Sequence, residues 1–350
     1  MLISRTSEAI YFSQLLKEAV ELNASDIHLI TGMPPLYRMH GDLIFKQQPI
    51  IEKEQIEKLF DMFTTDEQKL KFQQNGDVDF AYSFEGYARC RGNVFFQQSK
   101  MSMVLRLIKA RIPTLKELGH PPILAELALK PRGLVIVTGP TGTGKTTTIA
   151  AMINLINQTY ARHIISLEDP IEYVHTNCKS IIHQREVYAD TKSFSLGLKA
   201  ALREDPDVIV VGEMRDKETI AATINAALSG HLVFTTLHTS DTVQTIERVV
   251  NAFEPYQQQE IKVQLSMVLQ GIVTQQLVNS NNGSKRVAAL EIMIATPAIR
   301  NLIREGKTHQ ILSCIQTGAK FGMQTMNTAL KNLANQNLIK NEDVAILGVE

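Results

Sequence analysis

Between Gly139 and Thr148 the chain reads Gly-Pro-Thr-Gly-Thr-Gly-Lys-Thr-Thr-Thr, and these residue types at this spacing suit the binding of a phosphate chain. Glycines at 139, 142 and 144 let the backbone curl until successive N–H groups face one concavity, which is an anion site. In such a loop Lys145 reaches the β/γ-phosphates and the Thr146 hydroxyl ligates Mg²⁺. Gly139, Pro140, Thr141, Gly142, Thr143, Gly144 and Thr147 complete the expected nucleotide-binding set. Leu134–Val137 is a short apolar run suited to a buried strand. After the loop, Ile149, Met152, Ile153 and Ile156 share one helix face. Strand, glycine loop and helix in that order is the setting the motif requires.

Hydrolysis needs more than a cradle: an acidic group at a strand end to orient water, and a cation to offset charge on the γ-phosphate. The buried-strand pattern Val208–Val211 is followed by Gly212 and Glu213. Glu213 is therefore the expected general base, or the residue that orients the attacking water. Gly212 stands where an aspartate often sits in phosphate-loop enzymes, which puts Mg²⁺ on Thr146, nucleotide oxygens and water. Glu168-Asp169-Pro170, with Glu172 beyond it, ends the run Ile164–Leu167 and offers a second acidic group. His231 and His238 flank another apolar run. Seven strand residues span about 20 Å, so the two imidazoles cannot share a metal and would act from opposite ends. Arg89 and Arg91 project from one face of an alternating strand, and Arg106 lies on the next. An arginine finger is worth roughly 10³–10⁵ in rate, and these three are its candidates; surface ion pairs are the alternative.

Two domains fit 350 residues. Hydrophobic content of 44% and charged content of 21% are ordinary for a globular chain. Lys+Arg and Asp+Glu both number 36, so no global charge favours nucleic acid or an anionic membrane. The first residues lack the apolar core of a signal peptide, and no uncharged apolar stretch approaches the roughly 18 residues of a membrane span. Three dispersed cysteines support neither a disulfide framework nor a zinc ribbon, and a cytosolic setting is expected. Residues 1–110 alternate short strands with a helical stripe at Phe12, Leu15, Leu16, Ala19 and Val20, an α+β pattern. The segment 111–116 suits a linker. Near-continuous apolar runs at 134–137, 164–167, 208–211 and 232–237 then predict a parallel sheet. Beyond about 255 the chain is expected to be mainly helical.

Ala24–Leu29, Gly139–Thr148, Glu168–Glu172, Gly212–Asp216 and Gly230–Thr239 together are similar to the motifs of the secretion-ATPase superfamily. Ala298–Glu305 and Gly322–Met326 are similar to segments of its type IV pilus retraction branch. The resemblance implies an α/β fold: a RecA-like ATPase core over 117–275, a smaller PAS-like α+β domain over 1–110, and a mainly helical subdomain over 276–350. It implies catalysis at Glu213, nucleotide or metal support at Glu168, and sensing at His231 and His238. It further implies action of Arg89, Arg91 and Arg106 on ATP bound with Mg²⁺ between the domains. The partners implied are five further copies in a homo-hexamer, an inner-membrane pilus platform protein, and a second retraction ATPase. Membrane contact would be peripheral, at the cytoplasmic face, and no nucleic acid is expected. Extension and type II secretion relatives carry a long N-terminal extension and a four-cysteine loop, neither of which is seen in this sequence. An accessory retraction or assembly motor, a nucleic-acid translocase and a non-hydrolysing ATP-binding module are the alternatives.

Overall fold

A computed structural model describes residues 7–22, 24–39, 42–46, 48–84, 88–108, 111–281, 283 and 286–347. The chain divides into two compact units, Met1–Arg111 and Ile112–Glu350.

In the first unit the strands are β1 (Asp26–Ile30), β2 (Leu36–Met39), β3 (Asp42–Phe45), β4 (Asp77–Phe84), β5 (Ala88–Gln97) and β6 (Lys100–Ile108). They form one antiparallel sheet in the order β3-β2-β1-β6-β5-β4. Alternation sets its faces: Val78 and Phe80 are buried while Asp77 and Asp79 are exposed. Cys90 and Val94 point into the core, leaving Arg91 and Asn93 on the opposite face of β5. Helix Ser7–Glu21 buries Phe12, Leu15, Leu16 and Ala19. Val20 departs from the expected stripe at 48% exposed, at the edge of the apolar arc.

The second unit is built on a seven-stranded sheet. Its strands are β7 (Gly133–Thr138), β8 (His163–Glu168), β9 (Ile181–Glu186), β10 (Val208–Val211), β11 (Leu232–Leu237), β12 (Leu269–Asn279) and β13 (Arg286–Ile294). They lie in the order β13-β12-β7-β11-β10-β8-β9. All pair in parallel except β13, which runs antiparallel to β12. Leu134, Ile136, Ile209, Val211 and Val233 enter one apolar layer; Val135, Val137, Val208, Val210 and Phe234 enter another. Strands with both faces covered by helices need apolar residues at every position. That is why these four runs are legible in the sequence.

The expectation of a mainly helical chain beyond about 255 fails over 269–294, where β12 and β13 extend the sheet. The expected boundary between 275 and 276 falls inside β12. Thr274 and Gln275 are buried polar residues in that strand, so its composition does not resemble that of the apolar central runs. Beyond β13 the chain is helical, with Met326, Ala329 and Leu330 of helix Met326–Asn335 packing on Ala289 of β13.

Candidate nucleotide-binding and active site

The phosphate loop leaves β7 at Thr138 and enters the helix Lys145–Thr159. That helix buries Ile149, Met152, Ile153 and Ile156, the predicted face, against the sheet. Gly139, Gly142 and Gly144 adopt φ of 141°, 80° and 86°, a region costly for side chains bearing Cβ. Space adds a second reason. A Cβ on Gly139 would stand 2.3 Å from the Gln275 carbonyl oxygen, and one on Gly144 would stand 3.0 Å from Gln275 Nε2. Strand β12 therefore lies against both ends of the loop, and Gln275 Nε2 donates to the Thr143 carbonyl at 2.6 Å. Thr147 shares a 2.8 Å hydrogen bond with the Tyr173 hydroxyl.

Lys145 is buried, and its ammonium donates to the carbonyls of Gly139 (2.7 Å) and Pro140 (2.9 Å). Burial pulls its pKa below the usual lysine value, while the charges of Glu213 and Glu172 oppose that shift. His238, just past the end of β11, places Nδ1 3.4 Å from Lys145 Nζ and Nε2 3.3 Å from Glu213 Oε2. An ammonium only donates, so Nδ1 accepts and Nε2–H donates to the carboxylate. One imidazole thus links the loop lysine to the acidic group at the tip of β10.

Glu213 is largely buried, with 12% of its side chain exposed. Its second oxygen pairs with Arg215, which also reaches Asp169 at 4.0 Å. Donating a hydrogen bond to Glu213 raises the Arg215 pKa. Gly212, just past the end of β10, lies beside the end of β8. Its N–H donates to Leu167 O at 2.8 Å, and a Cβ there would stand 3.1 Å from that oxygen and 3.3 Å from the Phe194 ring. A side chain at 212 would be tight against the end of β8, and glycine avoids that crowding. Glu168 ends β8, where Ser166 Oγ (2.7 Å) and Gln184 Nε2 (3.0 Å) both donate to its Oε1. Desolvation nevertheless pushes its carboxyl above the usual range.

Lys145, Thr146, Glu168, Glu172, Glu213 and His238 line one cavity of about 470 Å³, inside the range of roughly 300–1,000 Å³ typical of small-ligand sites. It opens beyond the C-terminal ends of parallel strands, where such sheets bind ligands. His231 stands at the opposite end of β11, with Nδ1 on the Ala226 carbonyl at 2.9 Å, and does not line the cavity. Arg91 and Arg106 face each other across β5 and β6. Each has a carboxylate partner within the first unit: Asp79 at 3.6 Å and Asp26 at 2.9 Å. The Arg89 side chain lies outside the described residues.

Residues 5–346 match the family described as type II/IV secretion system protein. The chain belongs to that family. As a secretion ATPase it is 46% identical over 331 residues to the type IV pilus retraction ATPase PilT of Pseudomonas aeruginosa, covering 95% of this chain and 96% of the relative. It is 46% identical over 308 residues to the twitching motility protein of Neisseria gonorrhoeae, covering 88% and 82%. Among solved structures, the pilus retraction motor PilT with bound ADP superposes with a TM-score of 0.89 at 47% identity, covering 96% of each chain. The secretion-ATPase fold read from the sequence is therefore present, and the chain is an ATPase.

Two side chains that contact the candidate site residues were not singled out from sequence. Arg215 lies in the quoted Gly212–Asp216 segment, but nothing local marks it as the partner of Glu213. Gln275 carries no signal at all, since it meets Thr143 across 132 positions of chain. Only the sheet order, with β12 beside β7, brings it to the loop.

Proposed function

We propose that this secretion ATPase is a hexameric, Mg²⁺-dependent motor that retracts type IV pili at the cytoplasmic face of the cell membrane. The observation that carries the enzymology is the line Lys145–His238–Glu213 across one cavity. The likeness to retraction ATPases over nearly the whole chain supports the biological role. Among the described residues no helix is long and apolar enough to cross a membrane, so work on a pilus would pass through a membrane partner, the platform protein at the pilus base.

In the proposed cycle Lys145 exchanges the Gly139 and Pro140 carbonyls for β/γ-phosphate oxygens. Its movement away from His238 is felt at Glu213, whose carboxylate holds and deprotonates the attacking water. The donor set suits a hard cation: the Thr146 hydroxyl and carboxylate oxygens share the cavity. Among the described residues no cluster of three or more His, Cys, Asp or Glu is placed to hold a metal unaided. Thr146 would therefore hold Mg²⁺ together with nucleotide oxygens and water, and the ion would offset charge on the phosphates. Glu168 would steady that water from the tip of β8. Arg89, Arg91 and Arg106 would reach nucleotide from an N-terminal domain, Arg91 giving up Asp79 and Arg106 giving up Asp26 as they do so. His231, at the far end of β11, would report to a neighbouring subunit.

Deletion of the gene, scored for surface pili and twitching together, tests the reading. Excess fibres without movement are expected. Bald cells would assign the chain to pilus extension instead, and unchanged twitching would leave it an accessory role beside a second retraction ATPase. ATP turnover strongly stimulated by DNA and lost at high salt would make it a nucleic-acid translocase.

A further inference from the structure

Three side chains outside the cavity lining form a hydrogen-bonded line that ends on the phosphate loop. Gln275 Nε2 donates to Thr143 O at 2.6 Å, Gln275 Oε1 accepts from Thr148 Oγ1 at 2.7 Å, and His120 Nε2 lies 2.9 Å from the same hydroxyl oxygen. Chemistry fixes the direction of every proton. A carbonyl only accepts, so the amide nitrogen faces Thr143 and the amide oxygen faces Thr148. That oxygen takes the single Thr148 proton, leaving the hydroxyl oxygen to accept from His120. His120 therefore carries its proton on Nε2. Its bare Nδ1 is buried without a hydrogen-bond partner among the described residues.

The far end of the line bears on phosphate binding. Across a planar trans peptide the Thr143 carbonyl and the Gly144 N–H point in opposite directions. Fixing the carbonyl on Gln275 turns that N–H the other way, and Gly144 itself lines the cavity. At the near end, His120 closes the turn that opens the second unit, its own N–H donating to Leu115 O at 3.0 Å. We infer that His120, Thr148 and Gln275 are positioning residues which aim the Gly144 amide at the phosphate chain, so that the turn after Ile112 helps set nucleotide affinity. The inference rests on the reading of Gly139–Thr147 as the nucleotide loop.

Full-length protein titrated with a fluorescent ADP analogue, alongside steady-state ATPase kinetics, tests it. Thr148→Val cuts the line in the middle and is expected to weaken binding about three- to tenfold, the effect of one lost hydrogen bond. Thr148→Ser restores it to within about twofold of the parent. His120→Leu weakens binding as well, whereas His120→Gln, which keeps an N–H at similar reach, does not. In the Thr148→Val background His120→Leu adds nothing, because the line is already broken. KM rises with Kd while kcat holds, as for binding shared by ground and transition states. A merely structural loss would instead lower the active fraction, and so kcat, at constant KM. Parental affinity in Thr148→Val, or full additivity of the two substitutions, overturns the inference. Failure of the parent protein to bind the analogue better than Lys145→Ala would overturn the nucleotide-loop reading instead.

Discussion

At the scale of single residues, the site is a set of charges whose partners are already chosen. Both Glu213 oxygens are engaged, by Arg215 and His238, so the carboxylate is held in place for water. Glu213→Ala is expected to keep nucleotide affinity and to lose turnover by roughly 10²–10⁴-fold, the usual contribution of a general base. Single-turnover hydrolysis at the parental rate would remove Glu213 from that role. Two other residues contribute to the loss of stability in acid. Burial drives the pKa of His120 and His175 down from 6.5 to about 4. With both imidazoles neutral in the fold, the unfolded chain binds more protons between those values, and stability falls as pH drops from 6.5 towards 4. The loss is about 3 kcal/mol for each imidazole at the low end of that window. Glu168 has the opposite sign: its raised pKa gives stability that is lost as pH rises. The comparison is therefore differential. Denaturant midpoints of a His120→Gln/His175→Gln protein are expected to decline less steeply with acid than those of the parent.

Among the elements, the helix Pro297–Glu305 separates appearance from role. Helical spacing sets Ile299, Leu302 and Ile303 on one side and Arg300, Asn301, Arg304 and Glu305 on the other. Ile299 and Ile303 are indeed fully buried. Arg300 departs from the polar side: its Nη1 donates to Ser266 O (2.6 Å) and Met267 O (3.0 Å), carbonyls left open where helix Pro255–Val268 ends. Burial lowers its pKa. The capped helix runs directly into β12, the strand that carries Gln275. Arg300→Met is expected to destabilise by about 1–3 kcal/mol through the unpaired carbonyls, and Ile303→Ala by about 2–5 kcal/mol through a cavity. Arg304→Ala, on the exposed face, stays within about 0.5 kcal/mol. Chemical unfolding of the three variants checks the order.

At the scale of the whole molecule, the proposed ring makes a prediction about the arginines. If the motor is a ring, an arginine finger supplied by a neighbour would be worth roughly 10³–10⁵ in rate. Glu213→Ala and Arg91→Ala proteins are each expected to be inactive alone. Mixed rings are expected to regain part of the activity, because some sites combine an intact Glu213 with a neighbour's intact Arg91. No recovery on mixing would place the arginine on its own subunit's nucleotide. Arg106→Ala makes a poorer probe, since it also removes the ion-pair contact to Asp26, whose side chain is only 7% exposed and would keep only its Ser25 hydrogen bond among those described.

Local spacing by itself determined the loop Gly139–Thr148, the carboxylate of Glu213 at a strand tip and the four apolar runs of the central sheet. Each is written within a few residues, where glycine freedom, strand length and burial on both faces leave narrow choices. Tertiary structure alone decided the rest. It assigned Gln275 to the loop, took Arg300 off the polar face, and placed His238 but not His231 at the cavity. Strands β12 and β13 escaped the sequence for the same reason: their side chains answer to neighbours distant in the chain. A buried polar residue is stable only against its partner, and the partner's identity depends on strand order, which no local pattern encodes.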